Sequence, residues 1–174
     1  MSKVKDLINE MDVTTFSTLV KSVRPKNTLL GKESKGINTW PFGIVMNCMG
    51  IDILTAANNL IEKEFGISQE DILEATATEY VSFLAFVRNQ LESVSKLMKT
   101  LESEDPSNAK DVEELSKFGV IGIYYSIDPN PLSWDALANL PFVTMFMKMS
   151  LDNTVNKIKT KNQENELRKL NRGN

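Results

Sequence analysis

The chain has 174 residues, a net charge of −3, 41% hydrophobic and 25% charged residues, which predicts one soluble domain large enough to bury its own core. It contains no histidine and one cysteine, Cys48, which excludes an intramolecular disulfide framework, a cysteine-based zinc site and the commonest catalytic base. No apolar run approaches the roughly 20 residues that span a bilayer, and the N-terminus mixes Lys with Glu. We therefore expect no membrane segment, no signal peptide and a cytoplasmic location.

The N-terminal region predicts two short amphipathic helices. The first follows Ser2 and the second follows Asp12 or Thr14, each with apolar residues at helical spacing. The β-branched run at 13–15 also permits a strand in the second segment, but the spacing of its apolar residues favours a helix.

Residues 26–39 form a polar, basic segment that we predict to be a mobile loop. Gly31-Lys32 resembles part of a phosphate-binding loop, but the first glycine of that motif, which four residues separate from the second, is missing and no strand precedes it. Trp40-Pro41-Phe42-Gly43 follows, and these aromatic residues predict a core anchor, with a docking site for a partner as the alternative.

Residues 44–66 form an apolar segment and then a helix. Asp52 is suited to cap that helix and Gly66 to end it. Cys48 lies within the apolar segment, and no histidine exists to activate it, so we predict a buried, unreactive thiol.

The longest predicted element is one helix over about 69–103, started by a capping box of Ser68 and Asp71. Its apolar residues are spaced alternately by four and three positions, which is a heptad seam. A helix of this length measures roughly 50 Å, more than the roughly 40 Å diameter of a compact domain of this size. The seam residues are Leu73, Ala77, Tyr80, Leu84, Val87, Leu91, Val94, Met98 and Leu101.

The remaining segments predict one further helix from Asp105 to Phe118, a strand-like element at 120–127 and a terminal helix beginning near Pro141. The fold prediction is therefore mostly α: an elongated helical bundle around the long helix, with at most one small β element, near 120–127. The terminal helix carries a stripe rich in methionine and phenylalanine, which predicts core packing or a surface that accepts partners.

No catalytic, cofactor-binding or metal-binding signature is present, so we expect a protein that is not an enzyme and has no cofactor. The net negative charge and the absence of a recognised motif argue against binding to nucleic acid.

Charge is distributed unevenly along the chain. Residues 51–118 carry six basic and fourteen acidic residues, net −8, whereas residues 157–174 carry six basic and two acidic residues, net +4. We predict a helical domain at 1–156 and a basic extension at 157–174 that becomes ordered on a partner. The predicted partner-binding residues are Lys157, Lys159, Lys161, Leu167, Arg168, Lys169, Leu170 and Arg172.

These features predict a non-enzymatic helical assembly or interaction protein, working as a homo-oligomer or on a larger protein partner. In size, composition and lack of catalytic groups the chain resembles the small helical assembly proteins of tailed-phage virions, which implies a head-tail or tail component in the host cytoplasm or virion. The alternative is a small-molecule-binding or enzyme-like helical domain. Its pocket would be lined by Trp40, Phe42, Tyr124, Tyr125 and Trp134.

Overall fold

The computed structural model describes residues 3–6, 12–101 and 117–172. In these ranges the chain is mostly helical with one two-stranded antiparallel sheet, which confirms the mostly-α prediction. Nearly all of the helix predicted from Asp105 to Phe118, and most of the first predicted helix, lie outside the described residues. The elements are α1 (Val13–Ser22), β1 (Thr28–Leu29), β2 (Lys32–Glu33), α2 (Phe42–Cys48), α3 (Ile53–Phe65), α4 (Gln69–Glu74), α5 (Ala77–Lys99), α6 (Val120–Ile127), α7 (Trp134–Asn139) and α8 (Phe142–Arg172), with short 3-10 turns at Gly36–Asn38 and Pro131–Ser133.

The long helix predicted over 69–103 is divided into α4 and α5. Ser68 and Asp71 form the predicted capping box at the start of α4. The chain then becomes extended at Ala75 and Thr76, and the Thr76 side chain accepts a hydrogen bond from the backbone N–H of Glu79 to start α5. The predicted helix is therefore interrupted by a second N-cap, Thr76, whose hydroxyl satisfies a backbone N–H at the start of α5.

Helix α5 is the centre of the N-terminal half and packs against α1, α3, β1 and the 3-10 turn at Gly36–Asn38. The predicted seam is its buried face from Tyr80 to Val94, although Leu91 is only partly buried. The first seam residue, Leu73, lies on α4 and is exposed, and its neighbour Ile72 is buried instead.

The segment predicted as a strand, Val120–Ile127, is the helix α6. Its inward residues Val120, Ile123 and Tyr124 have helical spacing, and α6 packs against α2. A helix satisfies its own backbone hydrogen bonds, whereas a lone strand has no partner for them. This requirement outweighs the strand preference of β-branched and aromatic residues.

The sheet lies instead in the segment predicted as a loop. Strands β1 and β2 are joined by Leu30 and Gly31, both with positive φ (49° and 73°), as in a tight hairpin turn. The backbone N–H of Leu30 donates to Glu79 Oε1 at 2.7 Å, and that of Ile37 donates to Gln90 Oε1 at 3.2 Å. These bonds hold the segment on α5, so the prediction of a mobile loop is wrong.

Trp40 is the core anchor that the sequence predicts. Its indole Nε1 donates to Glu64 Oε2 at 2.7 Å, and the buried Ser34 hydroxyl donates to the same oxygen at 2.6 Å. The backbone N–H of Lys35 reaches Glu64 Oε1 at 3.3 Å. We call these four residues the Glu64 network; it joins α3 to the chain entering α2.

Helices α2 and α8 begin side by side. The backbone N–H of Phe42 donates to the carbonyl of Leu140 at 2.8 Å, and the N–H of Phe142 donates to the carbonyl of Trp40 at 2.9 Å. The two phenylalanine rings stack with centroids 6.1 Å apart. We call this reciprocal pair of hydrogen bonds the Pro41/Pro141 clasp, after the residues that pair within it.

Candidate interaction surface

The aromatic residues proposed to line a pocket do not surround a common space. The Phe42 ring contacts Tyr124 at a centroid distance of 6.0 Å, and Tyr124 contacts Trp134 at 6.4 Å. Trp40 packs on α5 instead, and Tyr125 is exposed on α6. Three of the five residues are therefore packed together, as in an ordinary core, and the other two lie elsewhere.

The open surface clefts along α1 and between α2 and α3 both lie away from that aromatic set. One, of about 390 Å³, runs along the threonine-rich face of α1. The other, of about 400 Å³, lies between α2 and α3. In the described part of the chain, no three Cys, Asp or Glu side chains are grouped closely enough to hold a metal ion. The cleft between α2 and α3 is lined by Ile44, Asn47, Cys48, Asn59, Glu62 and Lys63.

The thiol at this cleft is not a nucleophile. Cys48 is buried, its Sγ donates to the carbonyl of Ala56 at 3.6 Å, and burial raises its pKa to about 11. The thiolate is the reactive form of cysteine, so almost no Cys48 is in the reactive form near neutral pH.

We expect Cys48 in the native protein to react with a disulfide exchange reagent at pH 8 at least about 100-fold more slowly than a free thiol, because both its pKa and its burial oppose attack. Absorbance of the released thiol gives the rate, and the same protein in denaturant is the control that should react fully. Rapid reaction of the native protein would show that the thiol is accessible.

Helix α8 carries the longest uninterrupted exposed run in the described part of the chain. Its first part packs into the core through Phe142 and Met145, both buried, and through the partly buried Phe146 and Met149. The last inward contact described is the side-chain amide of Asn153, which donates to the carbonyl of Leu101 at 3.2 Å. Beyond this point the helix leaves the core.

Every residue from 154 to 170 is exposed, although the helix continues to Arg172. We call residues 154–172 the arm; at 1.5 Å per residue it extends about 27 Å. From 155 to 170, no side chain forms a hydrogen bond or ion pair with another described residue. The predicted partner-binding residues Lys157, Lys159, Lys161, Leu167, Arg168, Lys169 and Leu170 all lie exposed on the arm, and Arg172 is its last helical residue.

The predicted residues do not form one face. Successive residues of a helix are rotated by about 100°, so Lys157, Lys161 and Arg168 lie along one side. Leu167 and Leu170 instead lie close to the line of the core-facing side of α8. The arm thus presents a basic side and, separately, a weak apolar side.

An apolar surface that the sequence analysis did not single out lies on the outer side of α8. Met147, Leu151, Val155 and Ile158 are spaced by four, four and three residues, and they are 65%, 64%, 39% and 56% exposed. At about 100° per residue they fall on the side opposite the core-facing residues. We call these four residues the outer stripe. The spacing is visible in the sequence, but it overlaps that of the inward stripe formed by Phe142, Met145, Phe146 and Met149.

Comparison of the chain with protein-family models, curated proteins and solved structures finds no significant match. Within the described ranges, none of the helices combines the length and the apolar character needed to cross a bilayer. The arm and the outer stripe are the described features that bear on function.

Proposed function

We propose that the protein is a non-enzymatic helical assembly protein, a component of a large complex such as a tailed-phage virion, and that it attaches to a protein partner or to further copies through the arm. The observation that carries this proposal is the run of exposed residues at 154–170, which continues a helix whose first part is packed in the core.

The composition of the arm supports attachment rather than independent folding. An isolated helix of its length is marginal in water, and ordering each backbone residue costs roughly 1 to 2 kcal/mol. Only four of its residues are large apolar ones: Val155, Ile158, Leu167 and Leu170. A surface that covers these side chains would supply stabilisation that the described core does not.

Charge supports a protein surface as the partner. Residues 157–174 carry net +4, whereas residues 51–118 of the same chain carry net −8. The acidic part of a second copy therefore attracts the basic arm, and an acidic partner protein would do the same. Attraction between such surfaces raises association rates and is screened by salt.

Deleting residues 159–174 tests this proposal. We expect the unfolding midpoint of the monomer to change by less than about 2 °C, because the removed side chains contact no described core residue. Assembly measured by light scattering across protein concentrations should be lost or strongly weakened, and in the full-length protein it should weaken as salt rises.

Hydrogen exchange in a dilute, monomeric sample supplies the opposing outcome. Arm amides should exchange far faster than those of α5, and they should become protected on assembly. If the arm amides were as protected as the α5 amides in the monomer, the arm would be ordinary packed structure and the proposal would be wrong.

A further inference from the structure

The outer stripe is an exposed apolar row on α8. The four side chains lie on one narrow face of α8, and no described residue covers them. A continuous apolar row of this kind on a helix is typical of helix-helix contact. It begins at Met147, in the anchored part of α8, and ends at Ile158 in the arm.

The stripe is nearly symmetric about its own centre. If two copies of α8 are placed antiparallel with Met147 of each copy level with Ile158 of the other, Leu151 lies within one residue of the level of Val155. The midpoint of the first pair lies between Asp152 and Asn153, and that of the second pair lies at Asn153, half a residue away. A patch that matches itself after a two-fold rotation is what a symmetric dimer interface requires.

We infer that the outer stripe is the seam of a two-fold dimer in which two α8 helices pair antiparallel. This inference rests on the proposed assembly function and deepens it, because it names the first partner as a second copy of this chain.

Charge near the midpoint permits this pairing. Lys148 Nζ and Asp152 Oδ2 form an ion pair at 2.6 Å within each copy, so the centre of the seam carries little net charge. The pKa of Asp128 lies below its ordinary value, chiefly because its carboxylate accepts from the backbone N–H of Asn130, and Lys148 contributes. Asp128 therefore stays ionised, and it lies near enough to Lys148 for the two charges to interact.

The length of contact is sufficient only if the arm takes part. The stripe alone spans about 17 Å, too short for the roughly 800 Å² per partner of a typical specific interface. Antiparallel pairing about the same midpoint brings residue 142 of one copy level with residue 163 of the other. The two helices then run together for about 32 Å, and each arm tip extends past the start of the other α8.

Sedimentation velocity across a range of concentrations tests the dimer. We expect the wild-type protein to form a dimer, and Leu151→Asp to raise its dissociation constant by about 100-fold or more, because a carboxylate would be buried without a partner twice in one seam. The matched control is Leu73→Asp, which changes an exposed leucine on α4 and should leave the dimer unchanged. A wild-type monomer at all concentrations, or equal weakening by both variants, would overturn the inference.

Cysteine cross-linking tests the direction of the helices. Met147→Cys alone and Ile158→Cys alone should form no disulfide between copies, because like positions are about 17 Å apart along an antiparallel seam. An equal mixture of the two variants should cross-link. Cross-linking within either single variant would indicate parallel helices and would contradict the antiparallel seam.

The two proposals fail in different ways. If the protein stays monomeric while its arm amides exchange rapidly, the dimer is ruled out, but attachment of the arm to another protein is not. If the arm amides are protected in the monomer, the proposed assembly function itself is ruled out.

Discussion

Leu84→Ala is expected to lower the free energy of unfolding by about 2 to 5 kcal/mol, because it deletes most of a fully buried side chain and leaves a cavity. Leu84 has no exposed surface and lies at the middle of the buried face of α5, which packs against α1, α3 and β1. Chemical denaturation followed by circular dichroism gives the change in unfolding free energy.

The control for Leu84→Ala is another leucine of the predicted heptad seam. Leu73 belongs to the same predicted seam but is 37% exposed on α4, so Leu73→Ala should cost less than about 1 kcal/mol. Leu91→Ala should fall between the two, since Leu91 is partly buried. A loss below about 0.5 kcal/mol for Leu84→Ala would show that this face of α5 is not the core.

Trp40→Ala is the second substitution with a large expected effect, a loss of about 3 to 5 kcal/mol. The side chain is almost fully buried, its ring packs edge-on against Phe86, and its indole N–H binds Glu64. The substitution removes both the apolar contact with Phe86 and the hydrogen bond to Glu64, and it leaves the buried hydroxyl of Ser34 in place. Thermal and denaturant unfolding measure the loss.

A double-mutant cycle separates the hydrogen-bonding part of this effect. Glu64→Ala should cost about 1 to 3 kcal/mol, because it removes the acceptor of the buried Ser34 hydroxyl and leaves the Trp40 N–H only the longer bond to Ser34 Oγ. Since both residues belong to the Glu64 network, the two losses should not add, and a coupling of about 0.5 to 3 kcal/mol is expected. Strict additivity would show that the network does not link α3 to the chain entering α2.

Local signals in the sequence predicted many helix boundaries correctly. Asp12, Asp52 and Ser68 all cap helices in the structure, and Gly66 ends α3 in the left-handed conformation. These devices act within a few residues of the chain, so their physics is contained in the local sequence.

The errors arose where tertiary contacts or a competing local signal decided the outcome. Thr76 with Glu79 repeats the pattern of a cap three residues before a carboxylate, yet the continuous heptad seam concealed it. Residues 120–127 have the composition of a strand, but in the fold they pack as a helix against α2. The segment at 26–39 is fixed by side chains about 30 to 50 positions away, and no local pattern predicts such bonds.

The candidate surface was only partly predictable. The basic arm follows from composition, because its residues from 157 onward lose the apolar face that a packed helix needs. The outer stripe was harder to recognise, since the inward and outward apolar rows of α8 overlap between Met145 and Leu151 in the sequence. Only the packing of Phe142 and Met145 shows which row is inside.

The Pro41/Pro141 clasp has a mechanical consequence for the arm. Helix α8 has 31 residues, and its first turn is held by two backbone hydrogen bonds to the start of α2. Phe142, Met145 and Asn153 hold its following turns on the core. A sideways force on an arm ordered by a partner acts on a lever longer than the packed portion of α8, so the bending moment is largest where the helix leaves the core, near Asn153. A force along the helix axis is carried instead to both hydrogen bonds of the clasp. An axial pull by a neighbour would in this way reach α2 through the start of α8.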